Sequence, residues 1–200
     1  MAPAHASPPY HRIGYTDSAT IHFPPLPHPC PTPAHPTPMA HEARLTAALR
    51  ELLHRQRVAS LATLGDDGAP AVSMVPFALC PAAGEVVIHI SGLAAHTRHL
   101  QRQPRAALMV CQAEQAGEPV HALARVSIDV TALPCPADSA EQAAARAAYL
   151  ARFPEAEPMT ALGDFRFVRL MPLGARQVAG FGAARRVDAA ELRAALGPAP

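Results

Sequence analysis

Lysine is absent from the sequence, and the remaining charges almost balance. All 17 basic residues are therefore arginines, and they are opposed by 16 acidic residues in a chain of 200, which gives a formal net charge of +1 at pH 7. A chain with this balance has neither the basic surface of a nucleic-acid-binding protein nor a polybasic membrane patch. We therefore predict no nucleic-acid partner and no membrane partner. Any phosphate or carboxylate ligand must be held by arginine, histidine, hydroxyl groups or backbone amides.

Cysteine pairs and long apolar runs are also missing. The four cysteines, Cys30, Cys80, Cys111 and Cys135, form no C-x-x-C pair, which argues against a zinc ribbon or a thioredoxin-like site. Reduced thiols are favoured over a single disulfide. No apolar run approaches the roughly 18 residues of a membrane helix, and the N-terminus lacks the basic and apolar regions of a signal peptide. These absences predict a cytoplasmic protein without a metal site.

The composition changes sharply near residue 40. Residues 1–40 hold eleven of the 23 prolines and five of the eleven histidines, and the run FPPLPHPCPTPAHPTP is typical of a polyproline-like, disordered segment. Histidines scattered among prolines could bind a metal weakly, but a low-complexity leader without function is favoured. We predict a disordered tail over 1–40 and one folded domain over 41–200.

Beyond residue 41 the hydrophobic pattern predicts a mainly β domain with flanking helices. An amphipathic helix comes first, because apolar residues recur at positions 45, 48, 49, 52 and 53. Five strand patterns follow, RVASLATL, APAVSMVPFAL, EVVIHIS, RAALMVCQ and HALARVSIDVTAL, and the Asp-Gly of GDDG predicts a hairpin between the first two. Next come a helix over 138–153 with Asp138 as its N-cap, the strands DFRFVRLMP and ARQVAGFG, and a short helix after Asp188. Many short strands with few helices favour a small β-barrel with helices packed outside.

One segment groups polar residues between two apolar strands. In HISGLAAHTRHLQRQPRAALMV, Ser91 ends a strand, and a helix is expected over about 94–103 with His96, Thr97 and Arg98 near its start. Cations at a helix N-terminus oppose the helix dipole unless an anion lies among them. A phosphate would accept charge-assisted hydrogen bonds from Arg98 and His96. The local pattern alone slightly favours the alternative, a solvated helix face.

The order of these segments resembles a known family. RVASLATLGDDGAPAVSMVPFAL, HISGLAAHTRHLQRQPRAALMV, ALARVSIDVTAL, YLARFPEA and GDFRFVRLMPLGARQVAGFGAA follow one another at spacings similar to those of the FMN-binding split-barrel proteins. These proteins form the pyridoxamine 5'-phosphate oxidase-like superfamily, and the branch with haem-utilisation proteins is the most similar. The resemblance covers nearly everything after residue 41. It implies a six-stranded split barrel and a homodimer that binds FMN in clefts between its two subunits.

The resemblance also implies which residues contact the cofactor. A strand segment would run along the isoalloxazine ring, and a strand end with the following helix start would hold the ribityl phosphate. The residues at these positions are Ser73, Met74, Val75 and Pro76 for the ring, and Ser91, His96, Thr97 and Arg98 for the phosphate. Many relatives have lysine where His96 lies, so Arg98 is expected to be the main phosphate ligand and His96 a pH-dependent one. Without the resemblance, Ser73 and Pro76 are compatible with an ordinary edge strand.

Departures from the family pattern bear on the activity. The chain has no tryptophan, whereas true pyridoxamine 5'-phosphate oxidases carry a C-terminal segment with tryptophan and basic residues that hold the substrate. The last histidine is His121, inside the predicted barrel, whereas haem-degrading relatives carry a haem-binding histidine in a C-terminal segment. The prediction is therefore an FMN-dependent oxidoreductase acting on a small-molecule substrate. The alternatives are a haem-binding or haem-degrading protein, a non-catalytic regulatory module of the same fold, and deazaflavin as the cofactor.

No residue stands out as an acid or base for a substrate. His89 and His121 lie on predicted strands, where a histidine more often packs in a core than takes part in catalysis. Tyr149, Arg152 and Phe153, at the end of a predicted helix, are likewise expected to be structural. The catalytic residues therefore stay unassigned.

Overall fold

The computed structural model describes residues 38–197, which form four α-helices and seven strands. The helices are α1 (Pro38–Arg55), α2 (Ala95–Arg102), α3 (Ala140–Arg152) and α4 (Ala189–Ala195), and short 3-10 helices span Val120–Ala122 and Pro154–Ala161. The strands are β1 (Val58–Leu64), β2 (Pro70–Cys80), β3 (Glu85–Ser91), β4 (Arg105–Cys111), β5 (Arg125–Pro134), β6 (Phe165–Val178) and β7 (Ala184–Asp188). The predicted tail lies outside the described residues except for its last three positions, which belong to α1.

The strands form one antiparallel sheet that closes on itself. Their order is β3-β2-β1-β4-β5-β6-β7, and β3 pairs in addition with β6, from Val86 opposite Leu170 to Ser91 opposite Phe165. Six strands therefore form a closed barrel, and β7 extends the sheet from β6. The prediction of a six-stranded barrel with flanking helices is confirmed. The predicted GDDG hairpin between β1 and β2 is present as well.

Alternate side chains of the barrel strands fill its interior. Six of these side chains, one from each of the strands β1 to β6, have no exposed surface: Leu61, Phe77, Ile88, Leu108, Ile128 and Leu170. Helices α1 and α4 add Leu49, Leu53 and Leu192 to this core. Burial of one such side chain contributes about 1.5–3 kcal/mol, so the barrel interior is the main source of stability. None of the helices described between residues 38 and 197 is long and apolar enough to cross a membrane.

Strand β6 differs from the prediction of two separate strands in this part of the chain. It is continuous over 14 residues, and its pairing with β5 changes register where Asp129 lies opposite Gly174 but Val130 lies opposite Pro172. Leu173 is therefore an extra residue, and the resulting β-bulge bends the strand where Pro172 and Gly174 suggest a break. Strand β7 is not predicted by the pattern, because its short sequence ARRVD is mostly charged.

Two helices begin with a capping side chain. Ser139, and not the predicted Asp138, caps α3, because its hydroxyl oxygen accepts from the Gln142 amide at 3.1 Å. Asp138 instead occupies a turn with a φ of 58°. The cap of α4 is the predicted Asp188, whose carboxylate accepts from the first backbone amides of the helix. Each cap of this kind is worth ~1 kcal/mol.

A second apolar cluster lies outside the barrel, beneath α3. Strand residues pack there against Tyr149 and Phe153, which have the structural role expected of them; the strand residues are Ala78, Cys80, Val87 and Phe167.

His121 does not lie in this cluster. It is exposed in the 3-10 helix Val120–Ala122, so its prediction as a packed strand residue is wrong. The reason is that β5 begins only at Arg125, after this helical turn.

His89 is enclosed by aromatic rings at the margin of the second cluster, as predicted for a packed histidine. Its ring centroid lies 4.4 Å from that of Phe167, 5.1 Å from that of Phe165 and 5.6 Å from that of Tyr149. Within the described part of the chain its buried Nδ1 has no hydrogen-bond partner. Burial lowers the pKa of His89, and the carboxylate of Asp164 opposes this effect only partly. The cluster therefore favours the neutral imidazole.

We expect the free energy of unfolding to fall as the pH drops below about 6.5. The pKa of His89 is lower in the fold than in the unfolded chain, so the unfolded state takes up a proton first, and the stabilisation is complete only above that pH. His89→Phe should flatten this dependence, because phenylalanine suits an aromatic cluster and does not titrate. His96, whose pKa is also lowered, should retain part of the slope. Urea unfolding of both proteins at about pH 7.5 and about pH 5.5 measures how the free energy of unfolding changes with pH. An equal change in the parent and in His89→Phe would contradict the assignment to His89.

Candidate functional site

Helix α2 packs on β1 and β2 and brings two histidines to hydroxyl groups of these strands. His96 Nδ1 lies 3.1 Å from Ser73 Oγ on β2, and His99 Nδ1 lies 3.0 Å from Thr63 Oγ1 on β1. Burial, with a smaller contribution from the neighbouring His99, lowers the pKa of His96. The ring is therefore neutral at pH 7, and its buried Nε2 has no hydrogen-bond partner among the described residues. In this state His96 offers a phosphate no positive charge.

The junction between β3 and α2 is bonded to the residue that precedes β6. Thr97 Oγ1 donates to the Ser91 carbonyl oxygen at 2.6 Å, and Ser91 Oγ donates to a carboxylate oxygen of Asp164 at 2.8 Å. Gly92 fits this junction because a Cβ there would come within 3.0 Å of the Asp164 carbonyl oxygen. The two predicted hydroxyls are thus bonded within the protein. Sequence reasoning missed Asp164, since it contacts Ser91 across 73 positions of the chain.

Arg98 is the exposed member of the predicted phosphate site. Its Nη1 makes one long hydrogen bond of 3.4 Å to the Leu93 carbonyl oxygen. The structure brings Ser91 and Thr97 together, but it leaves Arg98 at the surface. An anion can therefore reach the Arg98 guanidinium with the loss of at most one long hydrogen bond, and the prediction that Arg98 binds phosphate stays a prediction.

The four predicted ring contacts on β2 divide between the two faces of the strand. Val75 is only 2% exposed and belongs to the barrel core, and Ser73 lies on the same face, against His96. Met74 is 68% exposed on the outer face, which it shares with the half-buried Pro76. A flat ligand along the outside of β2 would therefore contact the side chains of Met74 and Pro76, and it would meet the other two residues through their backbone.

The pairing register aligns six side chains across the outer surface of the sheet. We call this row the outer band: Met74, Ser60, Met109, Ser127, Arg176 and Arg186, from β2, β1, β4, β5, β6 and β7 in that order. Adjacent strands are about 4.8 Å apart, so the band extends about 24 Å around the sheet. Two exposed methionines occupy one end, and two exposed arginines occupy the other. The outer band is therefore apolar at one end and cationic at the other.

Exposed apolar residues flank the methionine end of the outer band. Val58 and Leu64 of β1 are about half exposed, and Val72 of β2 is 70% exposed. Together with Met74 and Met109 they form what we call the apolar patch. Contiguous apolar surface of this kind marks a site of contact with protein or ligand.

A cavity of about 1020 Å³ lies at the cationic end of the outer band. Its lining includes Ser127, Asp129, Arg176 and Arg186, together with Leu45 of α1. Sequence reasoning missed this cavity, because Arg186 reaches it only through the pairing of β7 with β6. Between residues 38 and 197, no group of three or more His, Cys, Asp and Glu side chains is arranged to hold a metal ion. The described cysteines are free thiols.

Comparison with known proteins identifies the family. The family model for pyridoxamine 5'-phosphate oxidase matches residues 45–179, which extend from α1 to just beyond β6. The chain belongs to this family. The haem oxygenase HutZ of Vibrio cholerae is 30% identical to this chain over 152 residues, which cover 76% of this chain and 85% of HutZ.

Two further relatives of this chain are also named for haem. The chloroplast haem oxygenase HOZ of Arabidopsis thaliana is 33% identical over 152 residues, which cover 72% of this chain and 45% of HOZ. A solved structure of a haem-binding protein from Mycobacterium smegmatis has a TM-score of 0.67 at 31% identity, over 75% of this chain and 60% of that protein. The chain thus spans less than two thirds of these two relatives. The predicted family and its haem-utilisation branch are confirmed.

Proposed function

We propose that this protein binds haem and takes part in its oxidative degradation. The observation that carries the proposal is the similarity to HutZ, a haem oxygenase, over 85% of the length of HutZ. The sequence pattern ranks an FMN-dependent oxidoreductase first, but the relatives named for haem support the alternative better. The internal hydrogen bonds of Ser91 and Thr97 also favour haem over FMN. A phosphate group that bound the two hydroxyls would have to break these hydrogen bonds.

The outer band has the chemistry that haem requires. Haem is a flat and largely apolar ring with an iron at its centre and two carboxylates on one edge. Met74 and Met109 offer exposed apolar surface, and the thioether of methionine is a known axial ligand of haem iron. These residues fit the group, and they would hold the ring and present sulfur to the iron. When bound, haem supplies a redox-active iron.

Three of the histidines between residues 38 and 197 are poorly placed to bind the iron. His96 is bonded to Ser73 through Nδ1, and its Nε2 is buried. His89 is enclosed by aromatic rings, and His54 Nε2 lies 3.0 Å from the Gly197 carbonyl oxygen. His121 is exposed, but it lies in the 3-10 helix Val120–Ala122, outside the outer band. We therefore place the ring against the methionines of the outer band.

We also propose that the protein forms a homodimer through the apolar patch. Val72 and Met74 of β2 and Met109 of β4 are exposed on the same face of the sheet, on either side of β1, and water contact with such a surface is unfavourable. A second copy placed over the patch would cover it and would exclude water from a bound ring. The resemblance to split-barrel proteins implies the same assembly.

Titration of the full-length protein with haem should produce a Soret band that saturates. Met74→Leu and Met109→Leu keep the apolar volume but remove the sulfur, so the variant that loses the iron ligand should shift the band while still binding haem. Addition of ascorbate in air should bleach the band if haem is degraded. A protein that purifies with the absorption bands of flavin, and that gives no Soret band with haem, would overturn the proposal in favour of FMN.

A further inference from the structure

Arg176 of β6 and Arg186 of β7 lie directly opposite each other in the sheet. Both side chains are exposed on the outer face, and neither guanidinium makes a hydrogen bond or an ion pair within residues 38–197. Like charges at directly opposite positions of an antiparallel sheet repel each other and are destabilising. The arrangement is therefore unfavourable unless an anion lies between or above the two groups.

The nearby carboxylates between residues 38 and 197 make no ion pair with these two arginines. Asp188 caps α4, and Glu191 is bound by the neighbouring Arg185 through both of its carboxylate oxygens, at 2.6 and 2.9 Å. Asp129 lies opposite Gly174, one row along the sheet from Arg176, and it makes no ion pair with any described residue. Between residues 38 and 197, the cavity thus contains two arginines without an ion pair, and two carboxylates, Asp129 and the capping Asp188, that make no ion pair either.

The floor of the cavity next to the arginine pair has no side chain. Gly174 of β6 lies between Asp129 of β5 and Asp188 of β7, and it leaves a depression beside Arg176. The cavity volume of about 1020 Å³ is at the upper end of the range for small-molecule sites. The acidic edge of a large flat ligand can therefore enter the cavity, where it would meet the two arginines.

We propose that Arg176 and Arg186, together with the hydroxyl of Ser127, bind the two carboxylates of haem. The inference rests on the proposed function and names the residues that recognise the acidic edge of its ligand. Guanidinium groups bind carboxylates through paired N–H donors. Met109 and Arg176 are two strands apart on the outer band, which is about 10 Å, so a ring placed against Met109 has its edge at the arginine.

The test compares haem with its dimethyl ester, in which both carboxylates are neutral. The parent should bind haem at least about tenfold more tightly than the ester, and Arg176→Gln/Arg186→Gln should lose about ten- to a hundredfold in affinity for haem while it binds the ester unchanged. Asp129→Asn removes the remaining free carboxylate of the cavity and should tighten the binding of haem only. Absorbance titrations of the full-length proteins give all of these affinities.

Arg186→Gln alone should also weaken the binding of haem, and Arg193→Gln is its matched control, because both lower the net charge by one. Arg193 is exposed on α4 and lies against Gly84 in the turn between β2 and β3. This control should bind haem like the parent, and melting curves should show all variants folded. If the parent binds haem and its ester equally, or if the double variant binds haem like the parent, the arginine site is overturned and the haem function stands. A parent that binds neither compound overturns both.

Discussion

Val72→Glu should convert the proposed dimer into a monomer, with a dissociation constant at least about a hundredfold higher. Val72 is 70% exposed on β2, so a glutamate there is solvated in the protomer and leaves the barrel intact. In a two-fold symmetric contact the apolar patch faces itself, and each dimer would therefore bury two carboxylates. Light scattering after size-exclusion chromatography, over a range of protein concentrations, measures the change.

Val120→Glu is the control for this variant. Val120 is 49% exposed in a 3-10 helix and does not belong to the strands of the outer band, so the same substitution should leave the assembly unchanged. Because a ligand held between protomers stabilises the dimer by mass action, haem should also bind Val72→Glu more weakly than the parent. A monomeric parent, or a Val72→Glu variant that dimerises as strongly as the parent, would contradict the proposed contact.

Arg152→Met should lower the free energy of unfolding by about 2–4 kcal/mol. The half-buried guanidinium of Arg152 lies where α1 ends, and its Nη2 donates to the carbonyl oxygens of Leu53 at 3.2 Å, His54 at 3.0 Å and Gln56. Methionine keeps much of the volume but leaves these three acceptors without their donor. Urea unfolding at neutral pH measures the loss.

Arg146→Met tests whether the position or the loss of an arginine causes this effect. Arg146 is on the same helix, but it is exposed and makes a surface ion pair of 3.5 Å with Glu157. Such pairs contribute little, so the change should stay within about 0.5 kcal/mol. If Arg152→Met were equally mild, the three carbonyl contacts would not be important for stability.

The sequence predicts those strands whose apolar residues alternate. Strand β3 is found within the bounds of its pattern, EVVIHIS, because it is buried on both sides and has a turn before it. The pattern divides strand β6 in two, since a proline and a glycine two positions apart usually end a strand, and only the pairing with β5 shows that Pro172 and Gly174 flank a bulge. Strand β7 carries little local signal, because its partner β6 and the cap of α4 determine where it lies.

The candidate site was less predictable than the fold. The family resemblance points to Ser91 and Thr97, but the contact that holds Ser91 comes from Asp164, at a point of the chain that no local pattern connects to it. The outer band depends on the register of five strand pairs, and an error of one residue in any of them would send part of the row to the interior. Arg176 and Arg186 therefore look like ordinary surface charges until β6 and β7 are paired.

The position of β6 in the barrel has a consequence for the chain during its synthesis. β6 is the strand that joins the two edges of the open sheet, since it pairs with β3 on one side and with β5 on the other. Until the ribosome has completed Phe165–Val178, five strands are present and the outer edges of β3 and β5 have no partner. Unpaired strand edges promote aggregation, so we expect a nascent chain that stalls before β6 to associate with other chains more readily than the finished barrel. Release of one late segment then turns an open, association-prone sheet into a closed one.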